Sequence, residues 1–295
     1  ATPDPSRMFV MLVGPGGSGK TNFLMSIPGL LSINCDLSPP PRPAPDAPMP
    51  DCQFFPALND DAQPVDFSGN PINFRWEMIE ELRFQLIEAA SKNLPRPRAI
   101  AIDSAGAAMR MLTDYVTRNA VALNLVKPEE ASRVKEFWHL HGPAGYGRAY
   151  ELLVNFIVSL RQAGYGVFLT FHITPTLMQI GENISTTVWE PASTPGLWSR
   201  LFPMADMALP IRQLSRMKVE PIYTEHNGQK IKSGTKQTQQ LYYAMEFNNP
   251  QLTNVTKRRV ALPELVELPA SGAWDIFAQK YRDAYGTPAA ATPTP

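Results

Sequence analysis

Along the first two-thirds of the chain, short unbroken apolar runs alternate with longer series in which apolar residues recur at helical spacing. Met8–Val13 is an apolar run of strand length, and Lys20–Ser26 opens a helix shortly after it. Leu31–Cys35 reads as a short strand ending at Asp36, with Cys52–Phe55 a further short strand. Phe74–Ser91 places Ile79, Leu82, Leu86 and Ile87 on one face, which predicts an amphipathic helix. Arg98–Ile102 reads as a buried strand ending at Asp103, and Ala105–Asn119 as a helix. Tyr146–Ala163 is a second strongly amphipathic helix, and Gly166–Phe171 a buried strand ending at His172. Two polar stretches, Leu125–Gly145 and Thr174–Gly196, read as long loops. Met204–Pro210 and Gln239–Phe247 read as strands, and Thr235–Asn248 with Asn254–Pro263 as hairpin material around Asn248-Asn249-Pro250. Trp274–Tyr285 is a terminal helix. Strands alternating with helices predict a mostly parallel sheet flanked by helices, extended by antiparallel strands toward the C-terminal side.

Between the first strand and the first helix lies Gly14-Pro15-Gly16-Gly17-Ser18-Gly19-Lys20-Thr21, which satisfies the phosphate-loop pattern. A strand, a glycine loop and a helix are the context that gives the pattern meaning. Gly14, Gly16, Gly17 and Gly19 let the backbone curl until successive N–H groups, with Ser18 and Asn22 among them, point at phosphate oxygens. Lys20 supplies a point charge for β- and γ-phosphates, and the Thr21 hydroxyl is a ligand for Mg²⁺. The bland alternative is a glycine-rich turn with an incidental lysine. Asp103, delivered by an apolar strand, is the second candidate Mg²⁺ ligand; otherwise it caps the helix that starts at Ala105. The residue after it is Ser104, so a water-activating group must come from another strand.

Composition narrows the picture further. The 295 residues carry 27 basic and 27 acidic side chains, so no global charge attracts nucleic acid and any such site is local. Proline, 30 residues in all, concentrates in a segment spanning 38–50 and in the tail at 286–295, predicting a polyproline loop and a disordered end around a core at 6–285. Two cysteines are no disulfide framework, and Cys35, in an apolar run, reads as a core residue. No apolar run approaches a membrane span, and no basic segment followed by an apolar one opens the chain, which points to the cytoplasm and to no membrane partner.

The order of these features resembles the RecA-like ATPases. A phosphate loop is followed by a strand ending Asp103-Ser104, a helix led by Tyr146-Gly147, a strand ending at His172 and a late Lys257-Arg258-Arg259. The chain is most similar to the phage-encoded RecA-like annealing and recombination ATPases, which also resemble the core of RadA. The resemblance covers roughly residues 6–285. It implies a RecA-like P-loop NTPase fold and Mg²⁺-dependent ATP hydrolysis, by a homo-oligomer with nucleotide at its subunit interfaces.

The resemblance also assigns residues. Its Asp-x-Glu catalytic element falls on Asp36-Leu37-Ser38, so Asp36 matches and Ser38 replaces the glutamate. Asp36 is thus a substitute base or a strand-end cap. His172 falls where a γ-phosphate sensor stands, or is simply structural. Lys257 and Arg259 match cations presented to a neighbour's nucleotide, on one face of a strand; the other reading is a solvated basic edge. The single-stranded DNA loops of the family fall at 125–145 and 174–196. The first holds Lys127, Arg133, Lys135, Trp138, His139 and His141, suited to phosphate contact and base stacking, unless Trp138 is a core anchor. The second has no Lys or Arg and carries Glu182, Glu190 and Trp189. Two other readings stay open: an assembly protein that binds nucleotide with little turnover, and a P-loop small-molecule kinase.

Overall fold

The computed structural model describes residues 3–41, 51–66, 68–140, 143–181, 184–192, 195–226, 229–269 and 271–285. Most of the expected proline loop and the whole tail at 286–295 lie outside them. The chain runs β1 (Phe9–Gly14), α1 (Lys20–Met25), β2 (Leu30–Asn34), β3 (Cys52–Phe55), the small pair β4 (Ala57–Leu58) and β5 (Pro64–Val65), α2 (Trp76–Ser91) and β6 (Ala99–Asp103). It continues with α3 (Ala105–Arg118), α4 (Pro143–Gln162), β7 (Gly166–Gly181), β8 (Ile184–Pro191), α5 (Pro195–Met204), β9 (Met207–His226), β10 (Gln229–Glu246), β11 (Leu265–Leu268) and α6 (Ala273–Tyr285).

The main sheet has the order β11-β10-β9-β1-β7-β6-β2-β3, with β8 paired to β7. Strands β9, β1, β7, β6, β2 and β3 are mutually parallel. β8, β10 and β11 add antiparallel pairings, the latter two at the C-terminal side. This is the mostly parallel sheet with an antiparallel extension that the sequence predicts. Its central strand explains why. All six residues of β1 are buried, and they alternate between two cores. Phe9, Met11 and Val13 face α2, α3, α4 and α5, whereas Val10 and Leu12 face α1 and α6. A strand covered by helices on both faces must be apolar at every position, which is the run seen at Met8–Val13.

The helices seal these faces with large side chains. Trp76, Leu112, Phe156, Leu160 and Leu201 fill the first core. On the second, Trp274 of α6 meets Phe23, Phe168 and Phe277 at ring-centroid distances of 5.9, 5.8 and 5.6 Å. Edge-on and tilted contacts of this kind add about 0.5–1.5 kcal/mol each beyond the area they bury. They fix α1, and with it the start of the phosphate loop helix, against the sheet.

Several expectations are corrected. The stretch 174–196 is not a loop: β7 runs on to Gly181 and turns back as β8, so most of it is a hairpin. Residues 174–179 on its β7 arm are exposed, with Leu177 at 75%, and Trp189 of β8 is only half-buried against the first core, so no alternating buried face marked it in the sequence. Strands β9 and β10 are 20 and 18 residues long and form one hairpin joined between His226 and Gln229. Asn248-Asn249-Pro250 is therefore not a hairpin turn. Asn249 caps a 3₁₀ turn at Pro250–Val255, its side chain accepting from the Gln251 amide at 3.0 Å. Lys257-Arg258-Arg259 is not a strand either; only Lys257 bridges to β9, at Ala208. Stretch 125–145 holds two 3₁₀ turns, at Pro128–Arg133 and Phe137–His139, and the start of α4. Trp138 there is 73% exposed and anchors no core.

At the edge of the sheet where β1 begins, buried Asp206 ties four groups together. Its Oδ2 accepts from the Phe9 amide at 2.8 Å and from Arg161 at 2.9 Å, its own amide donates to the Phe9 carbonyl, and Arg259 pairs with Oδ1. Removing the carboxylate strands a buried amide and two guanidinium groups. Asp206→Ala is expected to lower stability by about 2–3 kcal/mol, read from denaturant unfolding of both proteins. A loss under about 0.5 kcal/mol contradicts this role.

Candidate phosphate-binding site

The parallel strands set the site by register. Gly14 at the end of β1 pairs with His172 of β7, and Asn34 at the end of β2 pairs with Asp103 of β6. The sequence-predicted residues Gly14, His172 and Asp103 thus reach one edge of the sheet together, where ligands of open α/β sheets bind. A cavity of about 420 Å³ opens there, lined by Gly17–Asn22 of the loop and α1, by Asp36, Asp103 and His172, and by Tyr243 of β10.

Two glycines of the loop are required by close approach. A Cβ on Gly14 would lie 2.2 Å from the Ile211 carbonyl oxygen and 2.4 Å from Ser18 Oγ. Gly19 has φ +89°, and a Cβ there would meet the Tyr243 ring at 2.9 Å. The loop curls so tightly that Lys20 reaches back across it. Its Nζ donates to the carbonyls of Gly14 and Pro15, each at 2.8 Å. Burial lowers the Lys20 pKa to about 8, against the opposing pull of Asp103 and Asp36.

The candidate metal ligands meet directly. Thr21 Oγ1 donates to Asp103 Oδ2 at 2.8 Å, and Thr170 Oγ1 donates to Oδ1 at 2.6 Å. The second bond aims the carboxylate across β7 at α1. A hydroxyl and a carboxylate are hard oxygen donors, suited to Mg²⁺ that keeps its remaining ligands as water and phosphate. Among the described residues no cluster of three or more His, Cys, Asp or Glu forms a protein-only metal cage. Asp103 does not cap α3; Ser104 holds that position.

Asp36 sits in the turn after β2, where Leu37 has φ +52° and Asn34 Nδ2 donates to the Ser38 carbonyl at 2.8 Å. Its carboxylate pairs with Arg110 of α3 at 3.1 Å. His172 is pushed below the usual imidazole range, first by burial and then by the Lys20 charge, so its ring is neutral at pH 7. Burial drives the Cys35 thiol far up, which keeps it an unreactive core residue as its sequence context suggests.

Lys257 and Arg259 are not in this cavity. Lys257 Nζ donates to the carbonyls of Phe202 and Pro203 at 3.2 and 2.9 Å, and Arg259 pairs with Asp206. Asp206 bonds to Phe9, at the opposite end of β1 from Gly14, roughly 16 Å away at strand rise. Neither cation serves the nucleotide loop of its own chain. Sequence reading missed Thr170, Asn34, Arg110 and Tyr243. Thr170 and Asn34 carried a signal, as polar residues within apolar strands; Tyr243 and Arg110 carried none.

No protein-family model matches the chain, and no curated protein sequence does. Among solved structures, a KaiC-like protein from the hyperthermophilic archaeon Pyrococcus horikoshii OT3 is similar over 90% of this chain and 91% of its own, at 12% identity and a TM-score of 0.35. The chemistry of the site rests on the geometry above.

That geometry sets a pH dependence. A polyphosphate beside Lys20 raises its pKa above the value of about 8 that burial imposes. Affinity for tripolyphosphate is therefore expected to hold below pH 8 and to fall as pH rises through 8 toward 10, with proton uptake on binding in that window. Calorimetry in buffers of different ionisation heat reads the uptake. Affinity flat to pH 10 contradicts it.

Proposed function

We propose that this chain is a RecA-like P-loop ATPase that binds Mg²⁺-ATP at the cavity and hydrolyses it slowly. The observation that carries the reading is the convergence of the loop, Lys20 and the Thr21–Asp103 pair at one sheet edge. The amides of Gly16–Thr21 and Asn22 take the phosphates. Lys20 turns from the Gly14 and Pro15 carbonyls to the β- and γ-phosphate oxygens. Thr21 and Asp103 hold the Mg²⁺, which when bound neutralises charge on the transferring phosphate. Asp36 takes the proton of the attacking water, and neutral His172 donates a hydrogen bond to the γ-phosphate. Turnover is slow because Asp36 is shared with Arg110 and Ser38 stands where the resemblance places a glutamate.

The active form in this reading is a homo-oligomer, with Lys257 and Arg259 of one subunit at the next one's γ-phosphate. Their position far from their own loop supports this, although each must first leave its partner within the chain. Lys257→Ala and Arg259→Ala are expected to lower turnover at least tenfold while leaving nucleotide affinity at low protein concentration unchanged. Full activity of both variants contradicts the cross-subunit role.

A second reading, single-stranded DNA as partner in recombination or annealing in a phage, is favoured by one surface. Trp138, Lys127, Arg133, Lys135 and His139 are all exposed on the segment before α4. Glu129, Glu130 and Glu136 lessen its charge, and His141 lies outside the described residues. The 174–196 hairpin offers exposed Leu177 and Met178 and no basic side chain. Among the described residues no helix is long and apolar enough to cross a membrane.

Phosphate release measured with and without single-stranded DNA tests both readings. Lys20→Ala is expected to cut turnover by about two orders of magnitude, and DNA to stimulate the wild type but not Trp138→Ala. Unchanged turnover in Lys20→Ala overturns the ATPase site. Absence of stimulation overturns the DNA partner; a phosphorylated product in place of free phosphate favours the kinase, and nucleotide-driven assembly without turnover favours the assembly protein.

A further inference from the structure

Asp36 has a fixed backbone and a shared side chain. The Cys35 and Asp36 amides both donate to the Asp103 carbonyl, at 2.7 and 3.4 Å, and Asn34 Nδ2 closes the turn at the Ser38 carbonyl. Asp36 is thereby held beside the strand end that carries the candidate metal ligand. Its carboxylate lines the cavity, close enough to Lys20 to favour that side chain's charged form. Yet the hydrogen bond it accepts comes from Arg110 Nη2 at 3.1 Å, and Arg110 is not part of the cavity wall.

The pair is open to exchange. The Arg110 side chain is 75% exposed and that of Asp36 30%. Ion pairs this open to water bias a side chain by roughly fivefold at most. Among the described residues, one N–H donor of Arg110 is engaged and the rest of its planar fork is unused. An oxyanion takes such a fork in two parallel bonds, where Asp36 takes one. The carboxylate one turn further along α3, Asp114, is held by Arg118 at 2.9 Å.

We propose that Arg110 is a positioning residue that holds Asp36 off the attacking water, and that an oxyanion reaching the exposed face of α3 takes the guanidinium in exchange and frees the carboxylate. Slow turnover then has two separable parts. The restraint at Arg110 is removable, whereas Ser38 in place of a glutamate is not. This rests on the ATPase reading above, in which Asp36 is the base, and its test separates the two.

Phosphate release at saturating Mg²⁺-ATP is measured in sodium sulfate and in sodium chloride of equal ionic strength. The proteins are wild type, Arg110→Ala, Arg110→Lys, Asp36→Asn and the double variant of Arg110→Ala with Asp36→Asn. Arg110→Ala is expected to raise kcat by roughly threefold to fivefold with KM unchanged, whereas loss of a merely structural contact lowers it. Arg110→Lys, which still pairs with Asp36, restores the slow rate. Sulfate is expected to raise the wild-type rate above that in chloride and to leave Arg110→Ala where it is. With Asp36→Asn in place, Arg110→Ala brings no gain. An Arg110→Ala rate no higher than wild type, or a gain that survives Asp36→Asn, overturns the restraint. Equal wild-type rates in the two salts, or stimulation of Arg110→Ala by sulfate, overturn the exchange. If neither wild type nor Arg110→Ala releases phosphate, the ATPase reading falls and the restraint with it. If both do at one rate, the restraint alone falls.

Discussion

A hydroxyl on α1 and a carboxylate on β6 meet at 2.8 Å although a whole strand, β7, separates β6 from the strand that leads into α1. Everything else in the site depends on that meeting. It requires Asp103 to arrive beside Thr170 of β7 while β1 runs two residues further to Gly14, which the parallel register provides by pairing Ile102 with Leu169 and Gly14 with His172. It requires α1 to be held rigidly, which the packing of Phe23 against Trp274 and Phe277 provides. It also requires the Asp103 carboxylate to be aimed, which the Thr170 bond at 2.6 Å provides from the intervening strand.

What the sequence disclosed follows from what burial leaves visible. β1, β6 and the first half of β7 are covered on both faces, so each is an apolar run with a functional residue at its end: Gly14, Asp103, His172. The loop declares itself because close approach at Gly14 and a left-handed backbone at Gly19 exclude side chains there. The two hairpins were illegible for the converse reason. Beyond the sheet the far parts of β7 and of β9–β10 are exposed, and of β8 only Trp189 reaches a core, so polar and apolar residues mix and the ends of these strands leave no period. Tyr243 escaped because a tyrosine beside another tyrosine in a strand says nothing of the loop it will cover.

Electrostatics divides the molecule between its two edges. At the loop edge Lys20 is buried near two carboxylates and sits close to losing its charge, so a phosphate changes its proton occupancy. At the other edge Asp206 is buried but fully engaged with two arginines and a backbone amide, and its role is to hold β1 to β9. Lys257 and Arg259 belong to that second edge, so they act within the chain as structural cations unless a neighbouring subunit competes for them.

The most direct measurement is a crystal structure of the full chain with Mg²⁺ and a non-hydrolysable ATP analogue. The account predicts phosphates against the Gly16–Thr21 amides and Lys20 Nζ moved from the Gly14 and Pro15 carbonyls onto phosphate oxygens. The metal should lie between Thr21 and Asp103. Analogue bound elsewhere, or Lys20 still on its carbonyls beside a filled cavity, would contradict it.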